Sequence, residues 1–342
     1  MLFLLISPCY ICTETINVPE TMKRFLLTLM ACAAVASSYA LKYDVVVAQD
    51  GTGDFTTIQE AVNSVRAEMQ ERKTIFVKNG VYREKVVIPT NCINVTIVGE
   101  SKDSTILSWG DHAKMPLPGT DKPMGTFKTY TLLVRGNGFK AKDITIENDA
   151  PQLGQAVALH VEADKVEFVN CRFLGNQDTI YAGKENCRQY FKGCEIEGTT
   201  DFIFGPSTAY FEACLIRCKK NSYITAPSTP EYCKYGFVFH KCRIVAADGI
   251  DKVFLGRPWR PYGQSVFIDC FLDKHIRPEG WDNWRNPENE KTARFVEIGN
   301  NGPGASLEKR VAWGKKGKKK EKKVYEISRV FSSSVEKWQP EE

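Results

Sequence analysis

EFVNCRFLGNQDTI, residues 167–180, is matched 23 residues later by YFKGCEIEGTTDFI, residues 190–203. Each stretch places apolar or aromatic residues before a cysteine, alternates apolar positions after it, and reaches an aspartate seven residues past the cysteine. The cysteine pattern continues in YFEACLIRCK (210–219), FVFHKCRIVA (237–246) and SVFIDCFLDK (265–274). Cys171, Cys194, Cys214, Cys242 and Cys270 are therefore 23, 20, 28 and 28 residues apart. Upstream, INVTIVGE (93–100) and AKDITIEN (141–148) carry the same alternation without the cysteine.

Irregular periods of about 20–30 residues, built from short β segments, are the signature of a solenoid. No long helical pattern interrupts them, so the expected fold is all-β: a single-stranded right-handed parallel β-helix. Equivalent residues on neighbouring coils then lie about 4.8 Å apart, and the cysteines become small inward-facing core residues. A helix over TTIQEAVNSVRAEMQ (56–70), with Ile58, Val62 and Val65 on one face, is expected to cap the open N-terminal end.

Stacking makes Asp178 and Asp201 neighbours on consecutive coils. Two carboxylates that close cannot both ionise cheaply, so one pKa rises and the other stays low, which supplies an acid and a nucleophile or base. The same aspartates would also suit two adjacent turns that they merely cap; the spacing leaves both readings open. LGRPW (255–259) presents Arg257 between Gly256 and Pro258, a guanidinium able to hold one carboxylate ionised. Gln177 and Gln155 offer neutral amide donors of the kind an oxyanion hole uses. Tyr181, Phe204, Trp259 and Trp281 are candidates to line a cleft where sugar faces stack.

Composition excludes several classes. At 342 residues, with 43% hydrophobic and 25% charged residues, the chain is that of a globular protein. Its net charge of +5 is concentrated: KKGKKKEKK (315–323) carries seven Lys and one Glu, leaving the remainder at −1. A nucleic-acid binder spreads basic charge over a face, so the run is expected to be a solvated loop and no nucleic-acid partner is expected. Met22-Lys23-Arg24, an apolar stretch and SSYA before Leu41 resemble a secretion signal. Residues 1–40 are thus expected to be a leader with its true start at Met22, and 41–342 the mature β-helix domain. The apolar stretch is too short for a membrane span. LMAC, ending at Cys32, only weakly resembles a lipoprotein cleavage box. Nine of the twelve cysteines lie in the mature part, an odd number, so at least one has no partner within the chain.

QDGTGDFTTIQEAV, VKNGVYREKV, GFKAKDITIEN, GQAVAL, QDTIY, DFIFG, LGRPW and RPEGW, in that order, resemble the pectinesterases (pectin methylesterases) of carbohydrate esterase family 8, from about Val45 to Pro340. The resemblance implies a parallel β-helix that hydrolyses the methyl esters of galacturonate units in pectin, without cofactor or metal. It implies Asp201 as nucleophile, Asp178 as general acid/base, Arg257 as the residue that orients Asp201, and Gln177 and Gln155 as oxyanion donors. Thr126, Gln155, Tyr181, Phe204, Arg257, Trp259 and Trp281 become the expected substrate contacts. It also implies a Cys194–Cys214 disulfide, a secreted and monomeric enzyme, and methylated homogalacturonan as partner. His160 stands where such proteins often carry Arg, ITAPSTP (224–230) replaces ITAQGR, and KENC (184–187) is inserted.

Four other readings compete with this one. A serine esterase needs G-x-S-x-G, and no serine has that context. Two carboxylates about 5 Å apart also suit a retaining glycosidase; spacing alone does not exclude it, but the LGRPW arginine and the family resemblance do. A calcium-dependent pectate lyase needs a cluster of acidic ligands, where only a pair is seen. A β-helix that only binds polysaccharide would be free to lose Asp178, Asp201, Arg257 or Gln177, and all four are present.

Overall fold

Val166–Val169, Arg172–Leu174 and Ile180–Ala182 make three short strands of one coil, and Arg188–Lys192, Glu195–Gly198 and Ile203–Gly205 make the next. A computed structural model describes residues 43–332 and 337–341; the expected leader, 1–40, lies outside them. Each strand pairs in parallel with its counterpart on the following coil: Phe168 with Phe191, Phe173 with Ile196, Ile180 with Ile203. Repetition generates three parallel sheets of eleven, eight and seven strands. Parallel connections of this kind are right-handed, and the architecture is the expected parallel β-helix.

The period seen in the sequence has a packing cause. Three residues before each repeat cysteine stands a phenylalanine, and Phe168, Phe191, Phe211, Phe239 and Phe267 form a column with ring centroids 4.5–4.9 Å apart. Neighbouring coils are one strand spacing apart, so identical residues in register must meet face over face. The residue between column and cysteine makes the corner. Asn170, Gly193, Ala213, Lys241 and Asp269 all have left-handed backbone, with φ between 51° and 60°. That conformation turns the chain sharply from the eleven-stranded into the eight-stranded sheet.

All five repeat cysteines are buried. Cys194 and Cys214 are free thiols, so the expected bridge is not formed. The Sγ atoms of Cys194 and Cys214 each lie 3.5 Å from a carbonyl of the preceding coil, Phe168 O and Phe191 O, so the thiols donate to main-chain oxygens.

Two further expectations change. The capping helix is shorter than 56–70: it spans Ile58–Ser64, with Thr57 accepting from the Glu60 N–H and Val65 already extended. Its buried Ile58, Ala61 and Val62 close the end of the core. The lysine run is not a plain loop. Lys315–Lys316 pairs with Val296–Glu297 as the last strand of the eleven-stranded sheet, and Lys319–Tyr325 is a 3-10 helix.

Candidate active site

The seven-stranded sheet turns its outer face to a cleft. Asp178 and Asp201 enter it from the turns just before Ile180–Ala182 and Ile203–Gly205. Those strands pair Ile180 with Ile203, so the aspartates, each two residues earlier, are in register. Both have left-handed backbone, φ 66° at Asp178 and 48° at Asp201. Asp is among the few residues that tolerate this conformation. The turn that bends the chain thus also presents the carboxylate. The Asp178 N–H donates to Thr200 O and the Asp201 N–H to Tyr223 O, fixing each turn to the next coil.

Asp201 is gripped by Arg257: Nε donates to Oδ1 at 3.0 Å and Nη2 to Oδ2 at 2.6 Å. The guanidinium lies between Tyr223 and Trp284, 3.8 Å from each ring centroid. A planar cation held between two rings cannot rotate away from its carboxylate. Gly256 lets this happen, because a Cβ there would meet Thr225 Oγ1 at 2.0 Å.

Burial pushes both carboxyls up, Asp178 far more than Asp201. At Asp178 the neighbouring Asp201 adds to burial, with only partial relief from Arg257. At Asp201 the hydrogen bonds and charge of Arg257 oppose burial directly. The order expected for a split pair is present, but Asp201 is not drawn below the ordinary carboxylate range.

Gln155 and Gln177 form an isolated parallel bridge, one above the other at the same edge. With Thr126, Phe127, Asp178, Asp201, Phe204, Ala226, Arg257, Trp259 and Trp284 they line a cleft of about 230 Å³. Tyr181 packs on Phe204 at 4.9 Å and on Phe127 at 4.9 Å, at the edge of that cleft. Beyond it lies a larger hollow of about 810 Å³ that includes Arg135, Glu162 and Lys184. The larger hollow contains neither aspartate, so size does not locate the chemistry.

Trp281 is the expected contact that the structure removes from the cleft. It is 2% exposed, stacks on Phe295 at 4.3 Å and donates from Nε1 to Glu297. Its backbone bridges to Gly256, so it supports the strand that presents Arg257. Trp284, three residues on, takes the expected place. Tyr223 and Trp284 escape a reading of the sequence because a cation–ring contact across 27 or more residues leaves no local pattern. His160, in the seven-stranded sheet between Leu133 and Tyr181, hydrogen-bonds Glu162 at 3.0 Å.

Residues 44–333 match the family model described as Pectinesterase. The chain is 41% identical over 278 residues to Pectinesterase 31 of Arabidopsis thaliana, covering 79% of this chain and 86% of that one. It spans about half the length of some relatives named as pectinesterase/pectinesterase inhibitor, 48% in one from Brassica napus. Among solved structures, pectin methylesterase from carrot superposes with a TM-score of 0.78 at 32% identity, over 84% of this chain and 92% of that one. A pectin methylesterase in complex with a hexasaccharide superposes with a TM-score of 0.77 at 29% identity, over 88% and 99%.

Proposed function

The chain belongs to the pectinesterase family, and from that premise we propose that Asp201 attacks the methyl ester of a galacturonate unit of pectin while Asp178 manages the protons. The observation that carries this is the asymmetry of the pair: Arg257 holds Asp201 with two hydrogen bonds, and the adjacent Asp178 is left to burial and to the charge of its neighbour.

An Asp201 oxygen adds to the ester carbonyl carbon. The carbonyl electrons move to oxygen, and the Gln177 and Gln155 amides donate to that oxyanion. Collapse breaks the bond to the methoxy group as Asp178 transfers its proton, giving methanol and an acyl-Asp201 anhydride. Asp178, now ionised, takes a proton from water. The hydroxide adds to the acyl carbon and expels Asp201, leaving a galacturonate carboxylic acid and the starting enzyme. Each step uses carboxylates, amides and one arginine of the described chain.

The finer parts of the reading follow from it. Phe204, Trp259 and Trp284 supply apolar faces for sugar rings, with Phe127 46% exposed at the rim. The chain acts as a monomer outside the cell, the leader 1–40 serving export. Among the described residues, no helix is long and apolar enough to cross a membrane.

The test is methanol release from methylated pectin by the purified chain, with ultraviolet absorbance followed in parallel. Methanol without absorbance is the expected result. Unsaturated uronate products without methanol would assign the cleft to a lyase instead.

A further inference from the structure

Lys315–Lys323 is a strongly charged feature that the reaction does not use. The segment is fastened to the fold. Lys315–Lys316 is hydrogen-bonded to the preceding strand. The Glu321 carboxylate accepts from the Lys318 N–H at 2.9 Å and from Lys315 Nζ at 3.1 Å. Lys322 Nζ donates to both oxygens of Asp269, at 2.6 and 2.8 Å. These contacts use two of the seven ammonium groups. Lys316, Lys318, Lys319, Lys320 and Lys323 are exposed, and among the described residues no carboxylate pairs with them.

Unpaired like charges held close together repel one another and favour a multivalent anion. The reaction makes one. Each ester cut turns a neutral unit into a carboxylate, so the polymer leaving the cleft grows steadily more anionic. We propose that the lysine ribbon is a docking surface for de-esterified galacturonan, the product of this protein's own site; the proposal rests on the pectinesterase reading above. Five strand steps separate Arg188–Lys192, on the coil that carries Asp201, from Lys315–Lys316. That is about 24 Å along the coil axis. A polymer long enough to pass from the seven-stranded face to this edge would gain from the second contact, whereas a short oligomer occupies the cleft alone.

The experiment replaces Lys316, Lys319, Lys320 and Lys323 together by Gln in the full chain, sparing the lysines that fasten the ribbon. Binding is measured to unesterified polygalacturonate and to duplex DNA at rising salt, and methanol release from a short methylated oligogalacturonide is measured alongside. The expected result is binding to polygalacturonate that weakens with salt and is about tenfold or more weaker in the variant, each exposed pair contributing modestly. Methanol release from the oligomer stays at the wild-type rate. Equal polygalacturonate binding by variant and wild type would overturn the proposal, as would tighter binding to DNA than to polygalacturonate. A wild-type chain that bound polygalacturonate but released no methanol from the oligomer would strike at the reaction instead, and so at the source assigned to the polyanion.

Discussion

Asp178 is where stability and activity are set against each other. Its carboxyl is raised well above its usual 3.8 by burial and by Asp201. The native state therefore keeps this proton to higher pH than the unfolded chain does. The favourable contribution is complete below the usual pKa and is lost as pH rises through the folded one. Asp178→Asn removes the titration while keeping the shape. It is expected to raise the melting temperature at neutral pH and to flatten its decline with pH. The same change deletes the proposed proton donor, so methanol release is expected to fall about 10²–10⁴-fold. A variant no more stable than wild type would contradict the buried, protonated Asp178. Wild-type activity should also have two limbs: loss at low pH as Asp201 gains a proton, and loss at high pH as Asp178 gives one up. Arg257→Lys keeps a charge but loses the fork and the stacking between Tyr223 and Trp284. It is expected to retain the fold by circular dichroism and to lose most methanol release; near-wild-type turnover would show that a point charge suffices.

At the scale of the coil, the corner and the phenylalanine column divide the work. The left-handed corner at Gly193 has nothing within 4 Å of where a Cβ would stand. Gly193→Val therefore tests the backbone alone, without a clash, and is expected to cost about 1–2 kcal/mol in chemical denaturation. Gly193→Asn is expected to cost much less, since Asn tolerates this conformation; equal costs for the two would refute the explanation. The column is a packing device. Phe211 lies between Phe191 and Phe239, 4.6 Å from each, so Phe211→Ala is expected to cost about 3–5 kcal/mol. The sequence made the coil legible because the cysteine and the strand alternation recur. It hid the corners, because Ala213 and Lys241 adopt a conformation their types do not advertise. It also misplaced Trp281. Two tryptophans three residues apart look alike in sequence, and only the bridge from Trp281 to Gly256 decides which one faces inward.

Over the whole molecule, coil stacking converts distance in sequence into position in the cleft. Asp178 and Asp201, 23 residues apart, become neighbours by register alone, which is why the pair is readable in the sequence. Arg257 was readable as a rigid guanidinium, but its aromatic sandwich was not, since Tyr223 and Trp284 reach it from separate segments. The lysine run is readable as charge but not as structure, because its strand pairing and its Asp269 contact depend on the preceding coils. The proposed steps need only groups on the chain, so a chelator is expected to leave methanol release unchanged at matched ionic strength. Activity that returned only on adding calcium would contradict that chemistry. The account depends most on Asp201 as the attacking group. The direct measurement is methanol release from methylated pectin by Asp201→Ala, with circular dichroism confirming its β-rich fold. Release at the uncatalysed background is the predicted result. A well-folded Asp201→Ala chain releasing methanol near the wild-type rate would contradict the account.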